Sequence, residues 1–180
     1  MAKTERHVLD WMQQHLRNPI LDKLLVLVSR IGDNGEVWFV TMCVLLLQKQ
    51  TRLTGWVIFV TMSLELLVCN VWLKPKLGRR RPFKDHPQIQ LLVKEPTDCS
   101  FPSGHTASAF AASTSLWLCG NGLYQPALII AVLTALSRLY LYVHWPSDVL
   151  GGIGLGVIIG ITGQYLGHLS GIWFVLQFLT

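Results

Sequence analysis

The sequence predicts an all-α protein: a bundle of six membrane-crossing helices preceded by an amphipathic helix at the membrane surface. Three observations predict it. Hydrophobic residues make up 51% of the chain and charged residues only 14%, where a soluble domain carries about 25% charged. The charges gather in the first stretch, at Lys49 and Arg52, and between Lys74 and Asp98. Between these clusters run apolar segments, several of them near the roughly 20 residues a helix needs to cross a bilayer.

The elements follow in order. Residues 4–17 place Val8, Leu9, Met12 and Leu16 at helical spacing with Trp11 beside them and a basic polar face, the pattern of an interfacial helix. Residues 1–18 have no central apolar run and no small-residue cleavage site, so they do not read as a secretory signal peptide. Asn18-Pro19 then breaks or restarts the helix. Residues 20–31 and 37–48 are short apolar runs separated by Gly32-Asp33-Asn34-Gly35. Flanking polar residues extend them, or the bilayer thins locally. Residues 53–73 form a full-length span. Residues 101–119 form another, rich in Ala and Ser for close packing. Residues 124–143 and 149–169 complete the set, and Gly152, Gly156 and Gly160 give the last a small-residue face. No linker, repeat or low-complexity tract divides the chain, so 1–180 reads as one domain.

Six spans put both termini on one side. Lys3, Arg6, Arg17, Lys23, Lys49 and Arg52 argue that this side is cytoplasmic. The loop 74–100 then faces outward in a cell membrane. Its Lys74, Lys76, Arg79, Arg80, Arg81, Lys84 and Lys94 oppose the positive-inside tendency, and an anionic substrate supplies a reason. If the two short segments do not both cross, the topology inverts. The cationic run lies between apolar spans, which suits phosphate better than nucleic acid. Cys43, Cys69, Cys99 and Cys119 form no C-x-x-C pair, so they read as small hydrophobes rather than metal ligands.

Three polar clusters sit at span ends, and six alternating spans bring all three to one face. The first runs from Lys74 to Arg81-Pro82, the second is Pro102-Ser103-Gly104-His105, and the third is Ser137-Arg138 with His144 and Asp148. Lysine offers a point charge and arginine a planar fork for phosphate oxygens. Ser103 and Gly104 open a helix, whose free amides favour an anion. Asp148, four residues after His144, is placed to hold one ring nitrogen and leave the other nucleophilic. The roles assemble a phosphoryl-transfer site. His144 attacks phosphorus. His105 protonates the leaving oxygen and then activates water. Lys74, Arg81, Arg138 and the amides at Ser103 and Gly104 hold the equatorial charge in place of Mg²⁺, with no metal and no cofactor.

These clusters resemble the signature of the type 2 phosphatidic acid phosphatase superfamily, K-x6-R-P, P-S-G-H and S-R-x5-H-x3-D, and every defining position is filled. The resemblance covers roughly residues 20–169. It implies a six-helix core like that of the soluble vanadium haloperoxidases, metal-independent hydrolysis and the roles just assigned. The apolar spans point to the lipid branch. Expected substrates are undecaprenyl diphosphate, phosphatidylglycerol phosphate or phosphatidic acid, with the isoprenoid diphosphate preferred. A phosphotransferase and a lipid carrier or flippase are the competing readings. The expected partners are the lipid substrate and the bilayer, with no obligate protein partner evident.

Other polar residues invite plainer readings. Arg79 and Arg80 read as a solvated loop or headgroup patch. His7, His15, His86 and His168 lack motif context, although His86 lies near a headgroup's path. Glu65 sits mid-span, where an ionisable group is a functional hypothesis by default; a polar or basic partner inside the bundle is expected.

Overall fold

The computed structural model describes residues 2–86 and 88–176. Every regular element among them is helical. In chain order these are α1 (Ala2–His15), α2 (Pro19–Ile31), a 3₁₀ turn (Asp33–Gly35), α3 (Glu36–Leu47), α4 (Arg52–Glu65), a π-helical stretch (Leu66–Leu73), α5 (Lys74–Leu77), α6 (Pro82–Asp85), α7 (Gly104–Leu118), α8 (Tyr124–Tyr140) and α9 (Pro146–Leu176). Two helical stretches, Arg52–Asp85 and Pro146–Gly171, are long and apolar enough by themselves to cross a membrane.

The bundle centre is built on small residues. A Cβ at Gly152 would stand 3.1 Å from Thr106 Cβ, and one at Gly156 would stand 2.9 Å from Phe110 Cβ. At Gly160 it would approach Thr114 as closely. The face expected at 152/156/160 therefore runs parallel along α7. Further on, Gly163 meets Thr61 and Gly167 meets Val57 on the antiparallel α4. Close backbones bring polar groups together as well: Thr61 Oγ1 lies 2.8 Å from Ser115 Oγ, which donates to the Gly160 carbonyl at 3.1 Å. A second layer joins Trp38, Met42 and Leu45 of α3 to Ile58, Ala109, Ala112, Leu116 and Ala131. The turn from α3 to α4 is tied by Thr51 Oγ1 to the Leu45 carbonyl at 2.9 Å and by Arg52 Nε to the Leu46 carbonyl at 3.2 Å.

Residues 20–31, expected from the sequence as a short apolar run, fall in α2, which polar residues anchor at both ends. Asn18 caps α2 by accepting from the amides of Ile20 and Leu21 at 3.1 and 3.0 Å, and Pro19 opens the helix. At this start the Asn18 amide donates to Tyr140 Oη at 3.3 Å, and Tyr140 Oη donates to Asp22 at 2.6 Å. At its finish, Ser29 takes a hydrogen bond from Arg138, and Asp33 meets His105. Tyr140 and Arg138 end α8, and His105 begins α7. Both ends of α2 therefore lie at one end of the bundle, the end from which α3 departs. Asp22 and Ser29 are the physical reason: polar anchors at both ends of a short helix tie it across the face.

Helix α1 docks on the same face. Leu9 and Met12 are buried with Leu25, Phe83, Tyr140, Tyr142, Val143 and Trp145, while Val8 and Trp11 stay exposed. Gln13 donates to the Tyr140 carbonyl at 2.6 Å, and Tyr142 Oη donates to Asp10 at 2.7 Å. The amphipathic spacing is as expected, but much of the apolar stripe covers the loop that carries His144.

Candidate active site

The α8–α9 connection is tightly built. Tyr142 holds a left-handed φ of 60°, and its side chain is fixed by Asp10. His144 follows and is 1% exposed. One helical turn on, Asp148 is fully buried, and its Oδ2 accepts from the Trp145 amide at 2.7 Å and from Ser100 Oγ. His144 Nδ1 lies 3.6 Å from Asp148 Oδ2 and has no hydrogen-bond partner. The Asp148–imidazole contact is thus electrostatic and looser than the direct bond expected, because Ser100, Trp145 and Arg79 already occupy the carboxylate. On the opposite edge of the ring, Arg81 Nη1 stands 3.1 Å from His144 Nε2. A guanidinium only donates, so Nε2 carries the lone pair and the ring proton sits on Nδ1, facing Asp148. Burial, then the charges of Arg81, Arg138, Lys74 and His105, hold His144 well below the usual histidine range.

The cations of the first cluster converge on Asp98. Lys74 Nζ lies 2.5 Å from Asp98 Oδ2, and Arg81 Nη2 lies 2.6 Å from Oδ1. Arg81 Nε also donates to the Asp98 carbonyl at 2.9 Å, and Nη1 to the Val143 carbonyl at 2.8 Å. Burial opposes charge on Asp98, but the bonds and charges of Lys74 and Arg81 win and hold its carboxyl far below the usual range. Asp98 is an anion standing between the two cations the motif assigns to phosphate. Sequence reasoning missed it, because a lone loop aspartate carries no spacing signal.

Gly104 has a local reason. A Cβ there would sit 3.0 Å from Asn70 Oδ1 and 3.1 Å from Lys74 Nζ, so glycine lets both side-chain ends lie close over the start of α7. Ser103 is placed otherwise than expected. Its amide donates to the Asp148 carbonyl at 3.0 Å, and its hydroxyl pairs with Thr106 Oγ1 at 2.9 Å. It staples α7 to α9, and its amide is already committed. Arg138 is 3% exposed, gives Nη1 to Ser29 and keeps an unpartnered Nε. His105 Nε2 is 2.8 Å from Asp33 Oδ1. That bond is the first cause holding the Asp33 carboxyl below its usual range, against partial burial.

Arg79 departs from the solvated role expected. Its Nη1 meets Asp148 Oδ1 and Ser147 Oγ, both at 2.6 Å, and its Nη2 meets Glu5 Oε2 at 2.9 Å. Glu5 Oε1 also accepts from the Ser147 amide at 2.9 Å, so α1 closes a network behind His144. Arg80 stays exposed beside Asp85. His86 is buried, edge-on to Tyr142 at 6.1 Å, and takes no part in the polar cluster. Glu65 accepts from Asn70 Nδ2 at 3.4 Å, and its Oε1 has no partner.

Lys74, Arg81, Arg138, His105, Gly104 and Asp98 line a 1090 Å³ cavity. Phe39, Met42, Phe59, Met62 and Leu66 line it too, with Glu65, Asn70 and the loop residues 92–97. A cavity lined by both cations and apolar side chains suits an amphiphile with an anionic head.

A model of the PAP2 superfamily matches residues 53–171. An undecaprenyl-diphosphatase of Sulfolobus acidocaldarius is 34% identical over 137 residues, 76% of this chain and 66% of that one. A decaprenylphosphoryl-5-phosphoribose phosphatase of Mycobacterium tuberculosis is 32% identical over 74% of this chain and 73% of its own. Among solved structures, a PAP2-type phosphatidylglycerolphosphate phosphatase of Bacillus subtilis shares the fold, with a TM-score of 0.76 over 92% of this chain and 85% of that one at 23% identity. Aquifex aeolicus LpxE superposes with a TM-score of 0.67 over 87% and 92% at 26% identity. The family model spans the segment that carries all three motif clusters, and the chain belongs to the PAP2 superfamily.

Proposed function

We propose that this lipid phosphatase dephosphorylates an isoprenoid phosphate or diphosphate through a phosphohistidine at His144. The observation that carries the reading is the orientation of the buried imidazole, with Nε2 toward the cation set and Nδ1–H toward Asp148. Phosphate displaces the Asp98 carboxylate from Lys74 and Arg81. The Nε2 lone pair attacks phosphorus, the bond from phosphorus to the lipid-side oxygen breaks, and His105 gives that oxygen a proton. Water then attacks the phosphohistidine, His105 takes its proton, and phosphate leaves. Lys74, Arg81 and Arg138 match the charge spread over the equatorial oxygens, while Asp148 compensates the imidazolium character that develops on His144. The polyprenyl relatives and the apolar lining of the cavity support an isoprenoid chain.

The test is phosphate release from polyprenyl diphosphate by purified protein in excess EDTA, with an alkaline quench to preserve phosphohistidine. Release and a trapped phosphoenzyme are expected from the native chain, and neither from His144→Ala. Full release by that variant would remove the mechanism.

In this reading five segments cross the bilayer: α3, α4 with its π-helical extension, α7, α8 and α9. Helices α1 and α2 lie on the active-site face. The even count that set an extracytoplasmic site then loses its premise. Impermeant labelling is expected to place the N-terminus and a cysteine at position 94 on one side, and the C-terminus on the other. An N-terminus on the side opposite position 94 would restore six crossings.

A further inference from the structure

We propose that Asp33 is a positioning residue for His105, giving the site a second histidine–carboxylate pair held by α2. The proposal rests on the phosphatase reading above and adds a residue that lies outside all three motifs.

The local structure explains how an aspartate reaches this place. The Gly32 amide closes α2 on the carbonyls of Ser29 and Val28 at 3.2 and 3.3 Å. Gly35, with φ of 70°, turns the chain into α3. The 3₁₀ turn between them projects Asp33 toward the start of α7. A Cβ on Gly32 would lie 3.4 Å from His105 Cδ2, so the imidazole edge rests on the end of α2. Oδ1 then takes Nε2 at 2.8 Å. One turn earlier, Ser29 takes Arg138. A short strap thus orients two motif residues.

Electrostatics gives the pair a purpose. The general acid must carry a proton when substrate arrives. Lys74 on α5 and Arg138 on α8 face His105, and His144 lies close by. Both cations oppose an imidazolium. Asp33 is the carboxylate bonded to the ring, and Arg30 and Arg138 are the other charges that face it. With Nε2 engaged, Nδ1 is the nitrogen left to exchange a proton with the leaving oxygen and later with water.

This role separates from a structural one by leaving group. An alkyl monophosphate expels an alkoxide and needs the acid, whereas p-nitrophenyl phosphate expels a stable phenolate and does not. We compare kcat/KM, which reports the first chemical step, for native protein and Asp33→Asn in detergent. For the alkyl ester the loss is expected at about tenfold to a hundredfold, the usual cost of removing a histidine's outer partner. The aryl ester is expected to lose less than about threefold, since that step needs little acid catalysis. The alkaline limb of kcat/KM for the alkyl ester is expected to move to lower pH, and Asp33→Glu to recover part of the loss. Equal losses on both esters, or no loss on either, would overturn the proposal. If the Asn variant does not fold, Asp33→Ser carries the same comparison. Failure of the phosphatase reading is a different result: the native protein would hydrolyse neither ester.

Discussion

Asp98 offers the sharpest test of how the site accepts phosphate. Its carboxylate bridges Lys74 Nζ at 2.5 Å and Arg81 Nη2 at 2.6 Å, so in the proposed site incoming phosphate replaces two charge-assisted bonds. Buried, such bonds are worth about 1.5–3 kcal/mol each. The Asp98 side chain is 48% exposed, and solvent screening brings each nearer to about 0.5–1 kcal/mol. Together they hold back about 1–2 kcal/mol of phosphate affinity, which is roughly 5- to 30-fold in a dissociation constant. Asp98→Asn removes the charge, while its backbone carbonyl still accepts from Arg81 Nε. Competitive inhibition by inorganic phosphate is therefore expected to tighten 5- to 30-fold, about the factor just derived. The pH dependence follows from the depressed carboxyl. A group whose folded value is lowered contributes stability above its unfolded value, near about 3.9, and loses it only as pH falls through the folded one. Asp98 stays ionised through the usual carboxylate range, so the difference between native and Asn proteins is expected to persist from pH 7 down to about 5. An unchanged or weaker phosphate inhibition in Asp98→Asn would refute the argument and recast Asp98 as a strut that holds the cations in place.

The remaining predictions concern the support of the site. His144 is held well below the usual histidine range by burial first and then by neighbouring cations. Below about pH 6.5 the unfolded chain therefore binds a proton that the folded one refuses, and stability falls with acid. His144→Gln is expected to flatten the slope of Tm against pH between about 6.5 and 5, which thermal unfolding in detergent measures. Arg79→Ala removes the guanidinium shared by Asp148, Ser147 and Glu5; kcat/KM is expected to fall about tenfold with a smaller change in KM, and steady-state kinetics checks it. Gly156→Leu forces a side chain against Phe110 and Ala107, and a loss of about 1–3 kcal/mol is expected, read as a lower Tm than that of Gly154→Leu, where a Cβ meets nothing within 4 Å.

What could be read from the chain in advance depended on how many residues a feature needed. Lys74, Arg81, Arg138, His105 and His144 were legible because their spacing is fixed by helix ends and tight turns, and all of them except His144 line one cavity. The 152/156/160 face was legible because close helix approach leaves a periodic record. The carboxylates outside the three motifs were not. Asp33, Asp98 and Glu5 each act on a residue at least 24 positions away, through the 2.8 Å, 2.5 Å and 2.9 Å contacts made once the face is assembled. No local pattern marks such a partner. The same limit governed α2. Its composition is that of a short span, and the bonds of Asn18 and Asp22 to Tyr140, with Ser29 to Arg138, tie both of its ends to the end of α8. Apolar composition says that a helix is buried; polar anchors at its ends say against what. In the proposed five-span reading that distinction bears on both the topology and the support of the site, because the turn that follows α2 is the one that brings Asp33 to His105.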